Sequence, residues 1–208
     1  DGESVVWNTT SREQIRWLRS RWRHEGGSLD FFPDGVRVIV HAFAFRDVEV
    51  WNATCGERLF RLDDDDRPER GVMSVKISPG SRRILVHALS TDDGREYVSM
   101  WNASNGRREF PAWPLPCSSC TVDFLDDDRV VLCLNSHVGL DLVRPPWARP
   151  WLVVSAITGE ILEPRHALAA GPTSDIRHEH CLGVSDDGRW VAEYDREAER
   201  LSVWDITS

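Results

Sequence analysis

Lysine is almost missing from this chain: Lys76 is the single lysine among 25 cationic residues, and the rest are arginine. Schiff-base chemistry and phosphate-loop lysines therefore have one possible location, and the pattern around Lys76 reads as the middle of a strand. No apolar run reaches the length of a membrane span, and no signal peptide opens the chain. Gly-x-Ser-x-Gly, Gly-x-Gly-x-x-Gly, the phosphate-loop Gly-Lys-Ser/Thr and His-Glu-x-x-His are all absent, so no enzyme signature is present. Cysteines are few and odd in number: Cys55, Cys117, Cys120, Cys133 and Cys181 are scattered as reduced intracellular thiols would be, which points to a cytoplasmic or nuclear setting. Positive charge is outweighed, for a net charge of −9 opposes the phosphate contacts on which nucleic-acid affinity rests.

What the sequence does contain is a repeat. VEVWNATCG at 48–56 returns as VSMWNASNG at 98–106, as VVWN at 5–8, in weakened form as VVSAITG at 153–159, and as SVWDI at 202–206. The marker positions Trp7, Trp51, Trp101, Val154 and Trp204 are separated by steps of 44, 50, 53 and 50 residues. A near-constant period of this size, with a strand signal in every unit, means stacked β units. The units align further: SLDFFPDGVRVIVHAF (28–43) matches SVKISPGSRRILVHAL (74–89) position by position. TVDFLDDDRVVLCL (121–134) and CLGVSDDGRWVAEY (181–194) read as the same plan with one residue fewer in the turn. Each unit predicts a strand, a tight Pro/Asp/Gly turn, an apolar second strand, a variable connection, a third strand ending in the Trp motif, and a Gly-containing turn into a fourth strand.

Four short antiparallel strands per roughly 40–50 residues is the unit of a β-propeller blade. The fold class expected is all-β, a propeller of four-stranded antiparallel blades with about four repeats, at approximately 8–52, 53–102, 103–155 and 156–208. The chain would start in the third strand of one blade, run through three complete blades and stop in the third strand of a fifth. Near-continuous apolar second strands, RVIVHAF and RILVHAL, suit sheets buried on both faces. His41 and His87, recurring inside them, read as satisfied core histidines.

Trp51-Asn52, Trp101-Asn102, Trp204-Asp205, the preceding Val-x-Val pattern and the Pro-Asp-Gly and Asp-Asp-Gly turns together resemble the WD-repeat family of β-propellers. No Gly-His precedes the first strand, Asn replaces the Asp of the dipeptide in three units, and one unit has no Trp. The resemblance implies a rigid platform for protein partners, without cofactor, in a ring that commonly holds about seven blades, so further blades outside this segment are expected. Three Asn-x-Ser/Thr sequons, at Asn8, Asn52 and Asn102, fall at one repeat position and count as one coincidence, not as glycosylation signals.

Three places could carry chemistry. Cys117-x-x-Cys120 with His178-x-His180 has ligand types and spacing that suit tetrahedral zinc; the alternative is an ordinary buried thiol and loop histidines. Arg16 to Arg23, with Trp17 and Trp22 interleaved, could read a phosphate or lipid headgroup; the alternative is a fourth strand with Ile15, Trp17 or Leu18 packed and the arginines solvated. The acidic run Asp63–Asp66 lacks the alternating ligands of a calcium loop.

Loop length is the more informative signal. Connections from first to second and from third to fourth strands stay short. Those at 19–27, 63–71, 112–119, 166–178, 90–95 and 136–150 are the longer ones, and strand alternation sends them all to one rim. Insertions gathered on one face of a repeat fold mark a binding face. Trp113, Leu115, Arg144, Trp147 and Arg149 are the expected partner-binding residues, because Trp and Arg serve as interface anchors and the prolines of RPPWARP limit the ordering cost.

Overall fold

The computed structural model describes residues 3–7, 11–12, 14–19, 27–42, 48–62, 71–90, 92–115, 120–134, 151–162, 179–185, 189–195 and 199–205. Every regular element among them is a strand, so no described helix is long and apolar enough to cross a membrane, which says nothing of spanning by strands. The chain divides into two compact units, 1–112 and 113–208.

The first unit begins with an antiparallel pair, β1 (Glu3–Trp7) and β2 (Gln14–Arg19), with Val5 opposite Trp17. The second sheet follows in chain order: β3 (Gly27–Phe31), β4 (Arg37–Ala42), β5 (Val48–Asn52) and β6 (Arg58–Arg61). The third repeats it as β7 (Gly71–Ile77), β8 (Arg83–Leu89), β9 (Glu96–Asn102) and β10 (Arg108–Pro114), the last crossing into the second unit. That unit holds a fourth sheet, β11 (Cys120–Phe124), β12 (Arg129–Leu134), β13 (Trp151–Ser155) and β14 (Ile161–Leu162). A three-stranded fifth sheet consists of β15 (Glu179–Val184), β16 (Trp190–Asp195) and β17 (Arg200–Asp205). The expected sequence of a third and fourth strand, three four-stranded sheets and three further strands is therefore present as separate antiparallel meanders resembling propeller blades.

Two hairpins are expected to be one residue shorter, and one of them differs. The β11–β12 hairpin is shorter by one, as expected, with Phe124 opposite Val130, where Phe31 faces Val38 and Ile77 faces Ile84. The β15–β16 hairpin keeps the full length, since Val184 faces Val191 and the Ser185 amide reaches the Trp190 carbonyl. Six residues, 185–190, separate Val184 from Val191, as six, 32–37, separate Phe31 from Val38.

Packing explains why the middle strands are almost wholly apolar. Alternate side chains of β8 go to opposite faces, yet Ile84, Leu85, Val86, His87 and Ala88 are all buried. On one face Ile84, Val86 and Ala88 join Trp101, Val72 and Val75 in a cluster with Phe32, Ile39, Val48, Val50 and Leu62 of the second sheet. The indole at the repeat position of the third sheet thus packs on its neighbour. Trp51 sits on the other face of the second sheet with Val38, Val40 and Ala53. In the second unit, Val122, Phe124, Val130, Val131, Leu132 and Val154 are buried in the same way.

Candidate functional site

At the short-turn end of the first unit, the turns are built by their own side chains. The Asn after each Trp accepts from the turn it starts: Asn52 Oδ1 takes the Thr54 amide at 2.8 Å and the Thr54 hydroxyl at 2.6 Å. Asn102 Oδ1 does the same with the Ser104 amide and hydroxyl, at 2.9 and 2.6 Å. In the unit without Trp, Ser155 Oγ accepts from the Ile157 and Thr158 amides at 3.2 and 3.1 Å. These are Asx- and Ser-type turns. They give the Asn-x-Ser/Thr pattern a structural cause: the hydroxyl two residues on closes the turn. Each turn ends on a left-handed glycine, Gly56, Gly106 or Gly159, whose amide returns to the carbonyl of the turn's first residue. At Gly106 a side chain has no room as well, for a Cβ would lie 2.5 Å from the Phe60 ring.

Arg37 then ties neighbouring turns together. Its Nε donates to Asp34 at 2.6 Å, one terminal nitrogen donates to the Ser81 carbonyl at 2.8 Å, and the other donates to the Ala103 carbonyl. The Phe32 ring lies 4.3 Å beneath the guanidinium, and the Asp34 amide donates to Ser81 Oγ at 3.1 Å. Bonds from the Val36 and Arg37 amides and the Arg37 charge outweigh burial and hold the Asp34 carboxyl below its ordinary range. The same position opposite the Trp-motif turn is Arg83 in the third sheet, bonded to Glu109 at 2.8 Å, and Arg129 in the fourth, bonded to Asp126. In the fifth it is Trp190, with Arg189 over its ring and paired to Asp205 at 2.8 Å. Sequence reasoning missed this recurring arginine, although RVIV, RILV and RVVL display it.

Under the rim, buried polar pairs differ between sheets. Trp51 Nε1 donates to Glu49 at 3.2 Å, and Arg58 closes on that same carboxylate at 2.8 Å. Trp101 Nε1 donates to Ser99 Oγ at 3.0 Å instead. At the opposite end of the middle strands, His87 Nε2 meets Glu96 at 2.8 Å, both side chains 4% exposed. His41, opposite Val48 as His87 is opposite Val98, is buried; desolvation lowers its pKa, with Asp30 opposing the shift.

The connection at 90–95, expected among the long ones, is a compact turn. The Ser90 amide reaches the Arg95 carbonyl, and Tyr97 donates to Asp93 at 2.7 Å. That phenol, with the Arg95 amide, holds the Asp93 carboxyl below its ordinary range.

Of the expected partner-binding residues, Trp113 is half-buried near the end of β10 and Leu115 is buried at 6% exposure. Leu115 is buried just after β10, whose alternation of half-buried and exposed positions breaks at Ala112 and Trp113. Arg144, Trp147 and Arg149 lie outside the described residues, as do Cys117, His178 and Asp63–Asp66. Cys120 begins β11 opposite Leu134, and His180 lies in β15 opposite Tyr194. Among the described residues, no group of three or more His, Cys, Asp or Glu could hold a metal ion. Arg16 and Arg19 belong to β2, while residues 20–24 fall outside the described set. An open depression of about 240 Å³ between β3 and β7 is lined by Asp30, Phe31, Pro33, Val75, Lys76 and Ile77, so the lone lysine is indeed in a strand.

No protein-family model matches this sequence, and no curated protein matches it. Solved structures do. Kuenenia stuttgartiensis hydrazine synthase matches at 13% identity over 98% of this chain and 58% of its own, with a TM-score of 0.64. The dihydro-heme d1 dehydrogenase NirN matches at 13% identity over 99% of this chain and 39% of its own, TM-score 0.63. The β-propeller domain of the Trilobed protease from Pyrococcus furiosus, described as having an open velcro topology, matches at 12% identity over 98% of this chain and 60% of its own, TM-score 0.59. This chain thus spans 39–60% of the length of these three structures. At such identities the likeness is one of fold: an all-β chain of repeated four-stranded antiparallel sheets of the kind that form propeller blades.

Proposed function

We propose that the chain is a divergent WD-repeat-type propeller segment acting as a non-catalytic platform for a protein partner, within a larger ring. The observation that carries the reading is the contrast between the two ends of the sheets. Arg37 reaches the Ser81 and Ala103 carbonyls, so the short turns of the second and third sheets form one hydrogen-bonded edge. Within every sheet, antiparallel order sends the remaining connections to the other end, including 135–150, which contains Arg144, Trp147 and Arg149. A frame with a long, Trp- and Arg-bearing connection at one end suits recognition in which the frame absorbs little ordering cost. Trp113, half-buried at the end of β10, is the expected anchor that the described residues leave partly accessible, whereas Leu115 is buried.

The test is a Trp147→Ala/Arg149→Ala variant, compared with the parent for partners captured by proximity labelling in cells. Specific partners should be lost while the melting temperature stays the same. A matched Thr54→Ala change at the short-turn edge should keep them. Partners retained by the double variant would overturn the assignment of the rim.

A further inference from the structure

The turn that follows Trp101 carries a reactive pair that its counterparts lack. The residue before the turn's glycine is Cys55 in the second sheet, Asn105 in the third and Thr158 in the fourth. Asn105-Gly106 is the only Asn-Gly pair in the sequence. The turn does not require the asparagine, since the same glycine bond forms behind cysteine and threonine. It does require the glycine. Gly106 has a φ of 68°, and a Cβ there would meet the Phe60 ring of the second sheet. No side chain therefore hinders the Gly106 nitrogen from approaching the carboxamide before it.

The geometry prepares one half of a reaction and restrains the other. Asn105 is exposed, and its Oδ1 accepts from the Arg107 amide at 2.9 Å. That bond folds the carboxamide toward the Gly106 peptide and polarises the carbonyl whose oxygen takes up charge when Cγ is attacked. The nucleophile is held back. The Gly106 N–H donates to the Asn102 carbonyl at 2.9 Å, inside a turn that Asn102 and Ser104 keep shut.

We propose that Asn105-Gly106 is a site of spontaneous covalent modification, gated by its turn, that loosens the contact between the second and third sheets. The Gly106 nitrogen bonds to Asn105 Cγ, the Cγ–Nδ2 bond breaks, and ammonia leaves with the proton that the Gly106 nitrogen gives up, closing a succinimide. Water then opens the ring. Opening at Cγ leaves aspartate; opening at the Asn105 main-chain carbonyl leaves isoaspartate, whose backbone runs through Cβ and Cγ. The extra main-chain atom shifts Gly106 relative to Asn102 and to Phe60, at a place too tight for a methyl group. The site lies at the short-turn edge, so it stands or falls apart from the partner rim.

The purified chain, incubated folded at mildly alkaline pH, provides the test. Trypsin releases residues 96–107, and fragmentation mass spectrometry separates Asn105 from Asn102 within that peptide. The amide-to-acid mass change should accumulate at Asn105 faster than at Asn8, Asn52, Asn102 or Asn135. Isomerisation at Asp34-Gly35 or Asp93-Gly94 leaves the mass unchanged and is not counted. Ser104→Ala loses the 2.6 Å bond to Asn102 and should speed conversion by about two- to tenfold. Converted chains, separated by anion exchange, should melt at least about 2 °C below fresh ones. Asn105→Thr, the residue of the fourth sheet's turn, and Asn105→Ser should hold their melting temperatures through the same incubation. Conversion at Asn105 that is absent, or no faster than at the other asparagines, would overturn the site. An unchanged rate in Ser104→Ala would overturn the gating, and an unchanged melting temperature would overturn the effect on the sheets.

Discussion

The second and third sheets share an apolar plan and solve their polar problem differently. Both bury a Trp on the third strand and a His on the second, and both press Val or Met of the third strand to 0% exposure. Yet the Trp51 indole is met by the carboxylate of Glu49, itself paired to Arg58, whereas a neutral hydroxyl, Ser99, meets the Trp101 indole. His87 has the carboxylate of Glu96 at 2.8 Å, whereas burial lowers the pKa of His41 and the charge of Asp30 opposes that shift. The lesson is that hydrophobic burial holds this architecture and that the buried polar groups need satisfying in any available way.

Breaking the shared apolar plan should cost most. Trp101→Ala empties the contact between the two sheets and should lower unfolding free energy by about 3–5 kcal/mol in urea titration. A loss below about 1 kcal/mol would show that the indole is not central to the packing.

A smaller effect should separate the two buried carboxylates. Glu96→Ala removes the carboxylate at the buried His87 ring and should cost about 1–3 kcal/mol. Glu49 is also buried, but its partner Arg58 is 44% exposed on its side chain, so water can reach the remaining guanidinium and Glu49→Ala should cost less. Equal costs would contradict the distinction between a closed and an open pair.

The subtlest difference is in pH response. His41 has a folded-state pKa below its ordinary 6.5, so the unfolded chain binds the proton more readily. Its contribution is complete above pH 6.5 and is lost as pH falls from there through the lower folded value. His41→Leu should therefore flatten the stability curve below pH 6.5, measured by denaturation at a series of pH values. An unchanged slope would remove His41 as the source.

Much of the architecture was legible because its signals are local. The Trp-Asn turns, the Pro/Asp/Gly hairpins and the doubly apolar second strands each lie within one window of sequence, and the period orders them. The candidate site was less legible. Leu115 reads as an anchor beside Trp113 until a break in the alternation of β10 leaves it buried, and 90–95 reads as a long connection until Ser90 and Arg95 close it.

By itself, the sequence determined the number, order and antiparallel pairing of the strands, since alternation, turn chemistry and apolar runs act between neighbours in the chain. Only the tertiary structure decided which polar partner meets each Trp and His, and that Arg37 spans 44 residues to Ser81 and 66 to Ala103. Those outcomes depend on which sheet lies against which face, and residues far apart in the chain settle that together.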